Sequence, residues 1–73
     1  MSHDLPLVSR TKLEQLIDDN IVGFKAERNR AILKRRLLDG ICYEPLAEEF
    51  DMSPRQVRNI VYKGLDIITR KLP

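Results

Sequence analysis

The chain has 73 residues, of which 42% are hydrophobic, 33% are charged and 5% are aromatic. This composition is typical of one small helical domain with little room for a catalytic cleft beside its core. No apolar run is long enough to span a membrane, no signal peptide is expected, and the single cysteine excludes an internal disulfide. We therefore expect a small cytoplasmic binding module without membrane contact.

The net charge of +2 is unevenly distributed along the chain. Residues 24–40 and 52–73 each carry a net charge of +4, and residues 41–51 between them carry −4. Two basic segments around an acidic one fit either a nucleic-acid interface or neutralisation within the molecule. Charge by itself leaves both interpretations open.

Residues 1–8 are predicted to form a flexible N-terminal lead, and residues 9–73 a single helical domain. Ser9 is the predicted N-cap of a first helix, because apolar residues recur after it at helical spacing up to Gly23. This first helix is acidic and amphipathic.

A second helix is predicted from about Phe24 to Leu38, ended by Gly40 in the left-handed conformation. Its apolar residues form two stripes, with Phe24, Ala31 and Leu38 on one side and Ala26, Leu33 and Leu37 on the other. A helix with two apolar faces usually lies between neighbours, so we expect a central position. One stripe is also a candidate surface for a second copy of the chain.

A short third helix is predicted from about Glu44 to Phe50, preceded by Cys42 as a small buried hydrophobic residue. After a turn, Ser53 is the predicted N-cap of a fourth helix, with Pro54 in the first position and Gln56 completing a capping box.

Together these elements predict a small all-α domain of four helices, with a helix-turn-helix over about residues 43–62 and a recognition helix over about residues 54–70. A helical wheel separates this last helix into two sides. Its apolar side contains Val57, Ile60, Val61, Gly64, Leu65 and Ile68, and its outward side contains Arg55, Arg58, Asn59, Tyr62 and Asp66. Gly64 on the apolar side predicts the close approach of another helix.

The outward side starts at the helix N-terminus and carries the side chains that read base edges in double-stranded DNA. Arginine donates two hydrogen bonds to guanine, and asparagine or glutamine pairs with adenine. The candidate base-contacting residues are Arg55, Gln56, Arg58 and Asn59. The candidate phosphate-contacting residues are Ser53, Lys63, Arg35 and Arg36. The alternative is the solvated face of an ordinary amphipathic helix.

Residues 37–72 also resemble region 4 of bacterial RNA polymerase sigma factors. The residues that fit the family pattern are Ala47, Phe50, Ser53, Val57, Arg58, Ile60, Lys63, Gly64 and Leu65. The resemblance implies that the fourth helix reads the −35 promoter element in the major groove through Arg55, Arg58 and Asn59. It also implies contact with RNA polymerase, and a bacterial or phage-encoded, nucleoid-associated regulator of transcription.

The chain departs from the family in several respects. Pro54 and Arg55 stand where sigma factors often carry a charged pair, and Tyr62 replaces a small residue. Cys42 stands where the family usually has a threonine N-cap, so we expect the third helix to be capped less well. The 73 residues also leave no room for a promoter-melting region, which points to a stand-alone regulator or an excised region.

No catalytic activity is expected. His3 is the only histidine, so neither a histidine-based catalytic triad nor a metal cluster has a second member, and the three glycines form no phosphate-binding loop. We expect no cofactor and no metal. The competing hypothesis is an adaptor that binds RNA polymerase or another regulator through its apolar stripes, and a homodimer is an open alternative.

Overall fold

The computed structural model of this protein describes residues 9–72. This part of the chain folds into four α-helices and contains no strand: α1 (Arg10–Asn20), α2 (Ala26–Leu37), α3 (Tyr43–Glu49) and α4 (Pro54–Lys71). The predicted all-α class with four helices is confirmed. The predicted lead over residues 1–8 lies outside the described residues. None of these helices is long and apolar enough to cross a membrane.

Local hydrogen bonds set the starts of α1 and α4 where the sequence predicted them. The Ser9 hydroxyl oxygen accepts a hydrogen bond from the Lys12 amide at 3.1 Å. At α4 the Ser53 hydroxyl oxygen accepts from the Gln56 amide at 3.1 Å, and the Gln56 side-chain oxygen accepts from the Ser53 amide at 3.0 Å. Both predicted N-caps are therefore confirmed, and the capping box is complete.

The turn between α3 and α4 is closed by main-chain hydrogen bonds. The Met52 amide donates to the Ala47 carbonyl at 2.8 Å, and the Asp51 amide donates to the Glu48 carbonyl at 3.2 Å. Asp51 adopts a left-handed φ of 55°, so these bonds form a Schellman motif around a residue other than glycine. Only residues 50–53 separate the two helices, so α4 begins directly after a short turn.

The predicted start of the second helix is wrong. Lys25 takes a left-handed φ of 59° and α2 begins after it, at Ala26. Phe24 therefore lies outside the helix and is 86% exposed. The side of α2 that is buried in the core contains Ile32 instead. The predicted apolar stripe of Phe24, Ala31 and Leu38 does not exist as one helical face, because its first member is turned away by the left-handed residue.

The core is formed mainly by the apolar side of α4 and by the facing residues of α1, α2 and α3. Both α2 and α4 pack against all the other helices, so the predicted central position of the second helix is confirmed. The buried residues are Leu13, Leu16, Ile17, Ile21, Ile32, Leu33, Leu46, Ala47, Val57, Val61 and Ile68.

Gly64 marks the closest approach between α2 and α4. A Cβ atom at this position would lie 2.5 Å from Cδ1 and 2.7 Å from Cδ2 of Leu33, which is itself 1% exposed. A larger residue at this position would require the buried Leu33 side chain to move. The predicted close approach of another helix at Gly64 is confirmed.

Candidate nucleic-acid interface

The outer face of α4 is the surface formed by Arg55, Arg58, Asn59, Tyr62, Lys63 and Asp66, all of which are exposed. Its direction is fixed by the apolar side of the same helix, where Val57, Val61 and Ile68 are buried against the other helices. The helix rises about 1.5 Å per residue, so Arg55 and Tyr62 are roughly 10 Å apart along its axis. The diameter of an α-helix with its side chains, about 10–12 Å, fits the DNA major groove, which is about 12 Å wide.

The side chains on the outer face, apart from that of Asp66, form no hydrogen bond or ion pair within residues 9–72. Arg55, Asn59 and Lys63 form no hydrogen bond or ion pair with any described residue. Their donor and acceptor atoms therefore face solvent. The structure brings these three sequence-predicted residues together on one surface.

Ser53 and Gln56, two further candidate residues at the start of α4, form the capping box. Gln56 uses its side-chain oxygen to accept from the Ser53 amide, which leaves its NH2 group as a donor. Ser53 uses a hydroxyl lone pair to accept from the Gln56 amide, which leaves its O–H group as a donor. Both residues are exposed, so each retains a hydrogen-bond donor at the leading edge of the outer face.

Arg35 is engaged within the protein. Its Nε donates to both carboxylate oxygens of Glu49 at 3.1 Å, and its Nη2 donates to Glu49 Oε1 at 2.9 Å. Asp39 accepts a further, longer bond of 3.4 Å from Nη1. The hydrogen bonds and charge of Glu49, followed by those of Asp39, raise the pKa of Arg35. This guanidinium ties α2 to α3, and its predicted contact with a phosphate stays a prediction.

Asp39 is held by a second arginine from the start of α1. Arg10 Nη2 donates to Asp39 Oδ1 at 3.0 Å, and Arg10 Nη1 donates to the Leu38 carbonyl at 3.2 Å. The hydrogen bond from Arg10 is the main cause that lowers the pKa of Asp39. Lys34 likewise forms an ion pair of 2.8 Å with Asp18. The basic charge of α2 is thus partly neutralised within the molecule.

Arg36 is half-buried and reaches the first residue of α3. Its Nη1 donates to the Ile41 carbonyl at 3.1 Å, and its Cζ lies 4.4 Å from the centre of the Tyr43 ring. The Cζ of Arg58 lies 5.3 Å from the same ring centre. Tyr43 was not among the sequence-predicted site residues, because no local pattern connects it to arginines that lie seven residues before it and fifteen after it.

Cys42 is exposed, so the prediction of a buried cysteine is wrong. It occupies the N-cap of α3 in an extended conformation, outside the helix, where its side chain faces solvent. As predicted, its side chain makes no capping hydrogen bond. In the described part of the chain, no three histidine, cysteine, aspartate or glutamate side chains are grouped so that they could hold a metal ion.

A second exposed feature lies at the connection between α1 and α2. Val22 is 67% exposed and Phe24 is 86% exposed, and they border a cleft of about 310 Å³ between this connection and α4. The charged residues that line the cleft, Arg28 and Lys63, are both basic. Sequence reasoning missed this surface because it placed Phe24 within the second helix.

Comparisons with protein-family models, with curated proteins and with solved structures give no match to this chain.

Proposed function

We propose that this domain binds double-stranded DNA through the outer face of α4 and thereby regulates transcription. A short helix, a four-residue turn and a longer helix that packs back on it have the order of a helix-turn-helix, which places its second helix in the major groove. The resemblance to sigma region 4 in residues 37–72 supports the same assignment.

The observation that carries the proposal is that Arg55 and Lys63 on the outer face of α4 are exposed and unpaired within residues 9–72. Lys34 and Arg35 on α2 are instead paired with carboxylates of the protein. Asn59 lies beside them with a free amide. Unpaired arginine and asparagine side chains on the exposed face of a helix, in its N-terminal half, are suited to hydrogen bonding with guanine and adenine.

The experiment is a selection of random-sequence duplexes on the purified domain at about 50 and about 200 mM salt, where phosphate contacts weaken steeply. We expect one enriched motif for the wild type. Arg55→Ala and Asn59→Ala should each relax one base position, at a cost of about 1–3 kcal/mol for the preferred sequence. Arg70→Ala is the matched control, since Arg70 is an exposed arginine on α4 that pairs with Asp66 near the opposite end.

Enrichment of the same motif by the wild type and Arg55→Ala would contradict the assignment of Arg55. Enrichment of no motif by the wild type, with salt-sensitive binding to all duplexes, would contradict sequence-specific recognition. A palindromic motif would favour binding as a homodimer, because a two-fold protein reads two half-sites.

A second candidate function, an adaptor that binds RNA polymerase or another regulator, is favoured by the exposed side chains of Val22 and Phe24. Contiguous exposed apolar patches mark protein contact surfaces, and Val22 and Phe24 line the same cleft. The discriminating experiment measures binding of purified bacterial RNA polymerase by Phe24→Ser and Arg55→Ala. Loss with Phe24→Ser alone would support the adaptor, and equal binding by both variants and the wild type would exclude Phe24 from such a contact.

A further inference from the structure

Tyr43, the first residue of α3, brings together arginines from the two neighbouring helices. The guanidinium carbon of Arg36 from α2 lies 4.4 Å from the ring centre, and that of Arg58 from α4 lies 5.3 Å from it. The two guanidinium groups are therefore within about 10 Å of each other. Each distance is within the range of a cation–π contact, about 6 Å.

Neither guanidinium is neutralised. Arg36 donates one hydrogen bond to the Ile41 carbonyl, and no carboxylate of the described chain lies within 4.0 Å of Arg36 or Arg58. Arg35, the chain neighbour of Arg36, has two carboxylate partners. Two like charges at one ring, with no carboxylate of the described chain within 4.0 Å, raise the local positive potential, so this surface favours an anion.

The chemistry of the cluster fits a phosphodiester. A guanidinium that lies over an aromatic ring keeps the N–H groups along its edge available, and their planar fork matches two phosphate oxygens. On the wheel of α4, Arg58 lies about 60° to one side of Arg55, and Asn59 lies about 40° to the other side. Arg58 is thus at the edge of the outer face, next to α3, and Arg55 is nearer the middle.

We propose that Arg36, Tyr43 and Arg58 form a binding site for one phosphate of the DNA backbone, and that Arg58 fixes the register of α4 instead of reading a base. This inference rests on the proposed DNA binding. Tyr43 is the positioning residue: it holds the two guanidinium groups from α2 and α4 at one place before DNA arrives. Base reading then depends on Arg55 and Asn59.

The experiment measures affinity for a random-sequence duplex pool and for the selected motif over a series of salt concentrations. We expect Arg58→Ala to weaken both affinities by the same factor, about tenfold, equivalent to about 1.4 kcal/mol. The slope of log affinity against log salt should decrease by about 1, as for one lost phosphate contact. Tyr43→Leu should weaken both affinities by about threefold, whereas Tyr43→Phe, which retains the ring, should bind like the wild type.

Thermal unfolding of each variant checks that the fold is retained, and Arg58→Ala keeps the test decisive because Arg58 is exposed and packs no core. A changed preference at one base position, with unchanged affinity for the random pool, would overturn the phosphate site and leave DNA binding intact. Wild-type affinity and salt slope in Tyr43→Leu would overturn the positioning role. Failure of the wild type to bind any duplex would overturn both the proposed function and this inference.

Discussion

Gly64 offers a test of the packing between α2 and α4 in which two opposing effects have known sizes. In Gly64→Ala the new methyl group would be 2.5 and 2.7 Å from the δ-carbons of Leu33, and Leu33 is buried among other core residues. Overpacking of this kind costs about 1–3 kcal/mol. Replacement of a mid-helix glycine by alanine contributes about 1 kcal/mol in the opposite direction. We expect a net loss of about 1 kcal/mol.

For a domain of this size, 1 kcal/mol corresponds to a decrease in Tm of about 4–8 °C, measurable by far-UV circular dichroism. The control is Asn59→Ala on the outer face of α4, which changes helix propensity without a core contact and should raise the stability by roughly 0.5 kcal/mol. A second test places Gly64→Ala in a Leu33→Val background, which lacks the clashing δ-carbons. There the substitution should become stabilising. A raised Tm for Gly64→Ala in the otherwise wild-type chain would refute the close approach.

Three further predictions concern the local contacts. Ser53→Ala removes the capping hydrogen bond to the Gln56 amide and should lower stability by about 1 kcal/mol in urea unfolding, whereas Ser53→Asp, which retains an acceptor, should not. Asp39 has a lowered pKa in the folded state, so its bond to Arg10 stabilises the fold above the ordinary pKa of 3.8 and is lost as the pH falls through the folded value. Asp39→Asn should therefore reduce Tm at pH 7 and converge with the wild type in strong acid, and a difference independent of pH would contradict this. Phe24→Ser should change stability by less than about 0.5 kcal/mol, because the side chain is 86% exposed, and a larger loss would mean that Phe24 packs on the core.

The sequence by itself determined the features that depend on residues a few positions apart. The capping box between Ser53 and Gln56 spans three residues, and the two sides of α4 follow from a period of 3.6 residues. Gly40 adopts the predicted left-handed conformation, with a φ of 71°. Each of these interactions is complete within one or two helical turns, so its pattern is present in the printed sequence.

The tertiary structure decided which of the candidate side chains remain available for a partner. Arg35 is paired with Glu49, fourteen residues away. Arg36 and Arg58 both contact the ring of Tyr43. These contacts depend on how α2, α3 and α4 are packed, and no local pattern encodes that arrangement. For the same reason, two segments of equal net charge differ in their contacts: Lys34 and Arg35 are paired with carboxylates, whereas Arg55 and Lys63 form no ion pair with the described residues.

The start of α2 is a main-chain feature that the local sequence pattern likewise did not predict. Lys25 takes a left-handed conformation that propensity favours for glycine or asparagine, and so it redirects Phe24 out of the expected helix. The positive φ of Asp51 likewise closes the turn before α4. Burial of Ile32, Leu33 and the apolar side of α4 outweighs the local cost of such residues. Local chemistry thus set most helix ends and faces, and long-range packing decided which surfaces were left exposed.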